Sequence, residues 1–149
     1  MSDDLMKLYS GRILALAADM PATTPLAAPE ATARKRSPLC GSTVTVALTR
    51  DADGRIDGYH QDVKACALGQ AAASVAGRAM PGRDLDEVRR ARDELSAMLR
   101  EGGPPPAPPF EGLEVLTPAR DFRNRHASIL LSLEATVAAL EEAAALTRA

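Results

Sequence analysis

The most constraining stretch of this 149-residue chain is the clean alternation from Thr43 to Thr49, followed almost at once by Asp51-Ala52-Asp53-Gly54. Val44, Val46 and Leu48 face one way and the threonines the other, which is the period of a half-buried strand. The Asp-Ala-Asp-Gly run is a hairpin turn, with Gly54 suited to a positive φ. Residues 55–65 then form the return strand, and Gly58 marks a bulge where the alternation falters. A further short strand is expected over 31–37, ended by Pro38.

Helical signals surround this hairpin. Leu5, Leu8, Tyr9, Ile13, Leu16 and Met20 recur at helical spacing and predict a helix over 4–20, stopped by Pro21. Residues 21–30 hold three prolines and read as a loop. The Ala-rich run over 67–80, with Leu68, Val75 and Met80, predicts a closely packed helix ended by Pro81-Gly82. Asp84 with Glu87 forms a capping box. Leu85, Val88, Leu95 and Leu99 carry the next helix to about residue 100, where Gly102-Gly103 ends it. The segment over 102–110 is a Pro/Gly-rich loop that excludes regular helix or central strand. A long helix is expected over 122–147, with His126, Leu130, Leu133, Val137 and Leu140 on one stripe. The order predicts a single α+β domain over 1–149: a small antiparallel sheet of about three strands packed against several helices.

Composition narrows the function. Aromatic residues make up 3% of the chain and tryptophan is absent, so the core must be built from aliphatic residues and Met, and the case for base-stacking recognition is weakened. The net charge of −2 supplies no overall basic field for nucleic acid. The local run Arg34-Lys35-Arg36 reads as a solvated edge, with a partner-docking patch as the alternative. No apolar run approaches the roughly 18 residues that span a bilayer, and the acidic Met1-Ser2-Asp3-Asp4 start lacks a signal-peptide layout. The expected location is cytoplasmic, where two cysteines read as ligands, nucleophiles or core residues rather than a disulfide.

Cys40, Cys66 and His126 are the candidate chemical residues. Cys40 precedes Gly41 at a loop-to-strand junction, where the glycine permits a tight turn. Cys66 stands where a strand hands over to a helix, and the unpaired N–H groups of a helix start favour a thiolate. A neutral imidazole at His126 would offer nitrogen to zinc or iron. The structural alternatives are buried small hydrophobes for the cysteines and a hydrogen-bonded core histidine for His126. His60, Asp62 and Lys64 share the parity of Cys66 and could face its site, but the favoured reading is a surface histidine and solvated strand residues. There is no phosphate-binding Gly-x-x-x-x-Gly-Lys loop. Ser74 and Ser128 lie inside predicted helices without the context of a nucleophilic serine.

Ser37-Pro38-Leu39-Cys40-Gly41-Ser42 resembles the Pro-x-Cys-Gly-Asp loop of the NifU/IscU/SufU family of iron–sulfur cluster assembly scaffolds. The hairpin that follows, Ala65-Cys66 leading into the Ala/Ser-rich run to Ser74, the opening Leu8-Tyr9 helix and His126-Ala127-Ser128-Ile129-Leu130 are similar to that family in the same order. The resemblance implies a scaffold, rather than an enzyme, that holds iron, sulfide or a [2Fe–2S] cluster on Cys40, Cys66 and His126. It also implies a cysteine desulfurase and iron–sulfur acceptor proteins as partners. Zinc on the same residues, with persulfide transfer as in SufU, is one alternative; a metal-free interaction module on the same fold is another. Ser42 stands at the family's aspartate, and the third cysteine is missing: either Ala127 takes its place or His126 substitutes for it.

Overall fold

The computed structural model describes residues 9–21, 23–39 and 41–148. Cys40 and the Leu5–Leu8 part of the expected first helix lie outside the described residues.

The hairpin forms as its alternation requires. Strands β1 (Ala31–Arg36), β2 (Thr43–Arg50) and β3 (Ile56–Lys64) make an antiparallel sheet in the order β1-β2-β3. The register sets Val46 opposite Ala33 and Gln61, and Leu48 opposite Ala31 and Tyr59. Val44, Val46 and Leu48 are fully enclosed on the inner face. The Asp51 carboxylate closes the turn by accepting from the backbone N–H groups of Asp53 (2.9 Å) and Arg55 (3.0 Å). Gly54 takes φ +80°. The register shifts next to Gly58, where Thr49 Oγ1 donates to Asp57 Oδ1 at 2.6 Å. A Cβ at Gly58 would collide with that threonine hydroxyl, so the bulge demands glycine there.

Helix α1 runs Gly11–Ala18, shorter than the expected 4–20. Ser10 is extended (ψ 165°) and its hydroxyl accepts from Ile13 N–H, so the helix begins after it. Helices α2 (Ala67–Ala79) and α3 (Leu85–Glu101) fall close to their expected places. The capping box is complete: Asp84 Oδ1 accepts from Glu87 N–H at 2.9 Å, and Glu87 Oε1 accepts from Asp84 N–H at 3.3 Å. Gly102 caps α3 in the left-handed conformation, φ +71°.

Two further features differ from the sequence expectation. A 3₁₀ helix runs Glu111–Asp121 through Pro118, and a second, Arg123–Arg125, leads into α4 (His126–Arg148). The long helix therefore starts at His126 rather than near 122. The 3₁₀ segment is part of the core, since Leu113 and Leu116 are completely buried. Helix α4 packs on β1 and β2 and is flanked by α2 and α3. It is apolar nearly all round, as a helix enclosed on most sides must be. No described helix is long and apolar enough to cross a membrane.

Candidate functional site

Helix α4 carries hydroxyls one turn apart at Ser128, Ser132 and Thr136, all buried. Each meets a polar group from β3, the start of α2 or the loop before β2. Tyr59 Oη lies 2.8 Å from Thr136 Oγ1, and Thr136 in turn donates to the Ser132 carbonyl at 2.8 Å. A hydroxyl has one proton, so Tyr59 is the donor in its pair. Burial pushes the Tyr59 phenol up to about 12, against a smaller opposing effect of the hydroxyl contacts. Ser132 Oγ donates to Gln61 Oε1 at 2.9 Å, while Gln61 Nε2 donates to the Ala73 carbonyl of α2 at 2.9 Å. Gln61 thus ties both helices to the sheet.

The third hydroxyl, Ser128, reaches the candidate chemistry. Cys66 is the N-cap of α2, with φ −66° and ψ 171°, and its side chain makes no capping hydrogen bond. Its sulfur lies 3.5 Å from Ser128 Oγ, and Ser128 Oγ donates to Ser42 Oγ at 3.2 Å. Gly69 allows this approach, because a Cβ there would stand 2.7 Å from Ser128 Oγ and 3.2 Å from the Ser128 carbonyl. The loop that carries Cys40 is closed by its backbone: Ser37 N–H donates to the Ser42 carbonyl (2.8 Å) and Gly41 N–H to the Ser37 carbonyl (3.0 Å). Gly41 takes φ +73°, the conformation expected of the Cys-Gly pair. The loop, the start of α2 and the first turn of α4 therefore meet at one point, with Ser42, Cys66 and Ser128 in contact. The thiol is partly exposed.

His126 is held elsewhere. Its Nε2 lies 2.9 Å from the Ala119 carbonyl and 3.1 Å from that of Arg120. Carbonyls only accept, so Nε2 carries the proton. His126 and Ser128 are two residues apart, roughly 200° around the helix. The ring faces the 3₁₀ segment, while Ser128 faces Cys66, and no contact joins His126 to Cys66. His60 is on the outer face of β3, opposite to Gln61, with Nδ1 2.8 Å from Thr23 Oγ1. Asp62 and Lys64 point outward with it and are exposed. The shared parity with Cys66 fails because the strand ends at Lys64 and Cys66 belongs to the helix start. Among the described residues no group of three or more His, Cys, Asp or Glu side chains is placed to hold a metal ion.

Sequence reasoning passed over Ser128 as a partner of Cys66. The signal was weak, since an isolated serine within a helix has many uses. Its one clue was the four-residue spacing to Ser132 and Thr136.

The chain superposes on the crystal structure of a nitrogen-fixing NifU-like protein (N-terminal) from Brucella abortus. The TM-score is 0.90, with 42% sequence identity over 95% of this chain and 98% of that one. The chain belongs to the NifU-like family. The NifU-like fold extends to more distant structures. A protein from the thermophile Fervidobacterium islandicum AW-1, named as an iron–sulfur cluster assembly scaffold for the SUF system, matches with a TM-score of 0.78 and 18% identity, over 91% of this chain and 98% of that one. A hypothetical protein of known crystal structure matches with a TM-score of 0.75 and 23% identity, over 87% and 96% of the two chains. At these identities the likeness is one of fold. No protein-family model matches the NifU-like chain, and neither does any curated protein.

Proposed function

We propose that this chain is a scaffold for iron–sulfur cluster assembly, with Cys66 and Cys40 as the thiols that hold iron, sulfide or a [2Fe–2S] cluster as cargo. The observation that carries this reading is the position of Cys66. It caps the start of α2, partly exposed, beside the Cys-Gly loop, in a chain 42% identical to a NifU-like protein. Metal binding requires the thiolate form, and the Cys66 side chain is not committed to capping the helix. Ser128 Oγ lies 3.5 Å from the Cys66 sulfur and gives its own proton to Ser42, so in the resting thiol Cys66 S–H is the donor of that pair.

The donor set is short of a full ligand shell. Ser42 and Ser128 present hydroxyls, which stay protonated near neutral pH and bind metal weakly. His126 can serve only through Nδ1, because its Nε2–H is held by carbonyls, as the outer nitrogen of a ligating histidine commonly is. A cluster held by two thiols would complete its coordination from an acceptor protein or a small thiol, which suits a carrier that must release its cargo. A cysteine desulfurase would supply the sulfur. The hydroxyls at Ser42 and Ser128 favour, as a second reading, a metal-free interaction module that keeps the fold without the assembly chemistry.

The test is elemental analysis for iron, acid-labile sulfide and zinc on anaerobically purified, untagged protein, with Cys66→Ala and Cys40→Ala beside it. Iron with sulfide, lost in either variant, is the expected result. Zinc alone, lost in the variants, would move the assignment to a sulfurtransferase like SufU. No metal in any of the three proteins, also after anaerobic reconstitution, would leave the metal-free module.

A further inference from the structure

Every arginine from Arg50 to Arg92 faces a carboxylate. Outside that stretch several arginines face no carboxylate among the described residues, and Arg100 and Arg123 are the two that stand beside a buried histidine. Their guanidinium groups make no hydrogen bond or ion pair among the described residues, although Glu101 and Asp121 are close in sequence. With His126 they line a cavity of about 220 Å³ between the end of α3 and the start of α4. Arg100 lies in the last turn of α3, where a cation suits the helix dipole. That does not account for Arg123, which sits in the 3₁₀ turn before α4. Arg120, which lies over the same helix end, is already engaged with the Met98 carbonyl at 3.0 Å.

His126 supplies the independent observation. The residue is 3% exposed, and its Nε2–H is fixed on two carbonyls. Nδ1 is the other polar atom of the ring and, with Nε2 protonated, it carries a lone pair and has no partner among the described residues. It is not sealed inside the protein: among the described residues, the fully enclosed side-chain polar atom lacking a partner is Arg83 Nε. The cavity is thus lined by two unpaired, fork-shaped donors and by a histidine whose ring is fixed through Nε2–H, leaving Nδ1 as the nitrogen able to accept.

We propose that this cavity binds a singly protonated phosphate group. Arg100 and Arg123 donate to its unprotonated oxygens, a geometry to which guanidinium is matched, and its P–OH donates to His126 Nδ1. Two positive charges balance the dianion. Sulfate has the same shape and charge but no proton to donate, so its oxygen would face the Nδ1 lone pair. The site lies across α4 from the Cys66 junction, because His126 and Ser128 look to opposite sides of the helix, and it requires that a cluster held on Cys66 and Cys40 leave His126 Nδ1 free.

The experiment is calorimetric titration of the full chain with inorganic phosphate at pH 7.5 and constant ionic strength, alongside the ¹⁵N signals of the His126 ring. The wild type should bind phosphate saturably at one site, with a shift of Nδ1. Loss of one charged hydrogen-bonding partner should weaken binding at least about tenfold in Arg100→Gln and in Arg123→Gln. Both arginines are exposed, so both variants should fold, and circular dichroism would verify it. Arg34→Gln, an exposed change on β1, should bind like the wild type, and sulfate should bind at least about tenfold more weakly than phosphate. Absence of saturable binding, an unaltered affinity in Arg123→Gln, or sulfate binding as tightly as phosphate would overturn the proposal.

Discussion

Replacing Tyr59 with phenylalanine isolates one buried hydrogen bond whose donor the structure identifies. Thr136 gives its proton to the Ser132 carbonyl, so Tyr59→Phe leaves one threonine lone pair unsatisfied and strands no donor. The expected loss at pH 7 is about 1.5 kcal/mol, or roughly 3–6 °C in Tm for a chain of this size. The same phenol predicts a reversal at high pH. Its folded value of about 12 lies above the ordinary 10, so the folded state prefers the protonated form. That preference stabilises fully below pH 10 and is lost as pH rises toward 12. Within this window each pH unit removes about 1.4 kcal/mol from the wild type and nothing from the variant. The two stabilities should therefore meet near pH 11, above which the phenylalanine protein is the more stable. Urea unfolding of both proteins at intervals from pH 7 to 12 measures this, and all other titrating groups cancel in the difference. Curves that stay parallel across the range would refute the reasoning.

The remaining predictions concern the other end of the sheet, the 3₁₀ segment and the thiol junction. Arg50 grips Glu30 through two hydrogen bonds, at 3.0 and 2.8 Å, and donates to the Ala143 carbonyl at 3.1 Å. The Arg50 hydrogen bond holds Glu30 below its ordinary 4.5, with burial opposing. This contribution is present above pH 4.5 and disappears as pH falls through the lower folded value. Glu30→Gln should cost about 1 kcal/mol at pH 7, and denaturant melts at falling pH should show the gap closing below 4.5. Leu116→Ala should cost about 2–5 kcal/mol by urea unfolding, whereas a peripheral 3₁₀ loop would lose less than about 0.5 kcal/mol. Ser42→Asp places a carboxylate in a buried position beside Cys66 and Ser128. It should lower the Tm of the metal-free protein and raise zinc retention, so that chelator lowers the Tm of the variant far more than that of the wild type.

Much of this architecture was legible in the chain because periodicity and caps are local signals. The alternation of β2, the Asp51–Gly54 turn, the bulge at Gly58 and the Asp84–Glu87 box each depend on residues within a few positions of one another. Cys66 at the strand-to-helix handover was legible for the same reason. The 3₁₀ helix over Glu111–Asp121 was not, since its tighter turn lacks the 3.6-residue period, and Pro118 with the prolines before it reads as loop. The first helix was overextended because apolar spacing continued past Ser10, which in fact caps it. At the site, spacing in sequence could not tell that His126 would turn toward the Ala119 and Arg120 carbonyls. Nor could it tell that Ser128, two positions on, would face the thiol, because which face of a buried helix meets which neighbour is decided by long-range packing.

The hydroxyl row on α4 works as a graduated rule. Its marks are one turn apart, so a slip of α4 by four residues would still present a hydroxyl to Cys66 and to Gln61. The error would show at the far end, where the Tyr59 phenol would meet Leu140 and Arg50 would lose the Ala143 carbonyl. The alignment of Ser128 with the thiol is thus read off at the opposite end of the helix, fifteen residues or about 22 Å away. Disturbing that distant end would misplace the thiol's neighbour without touching the site itself.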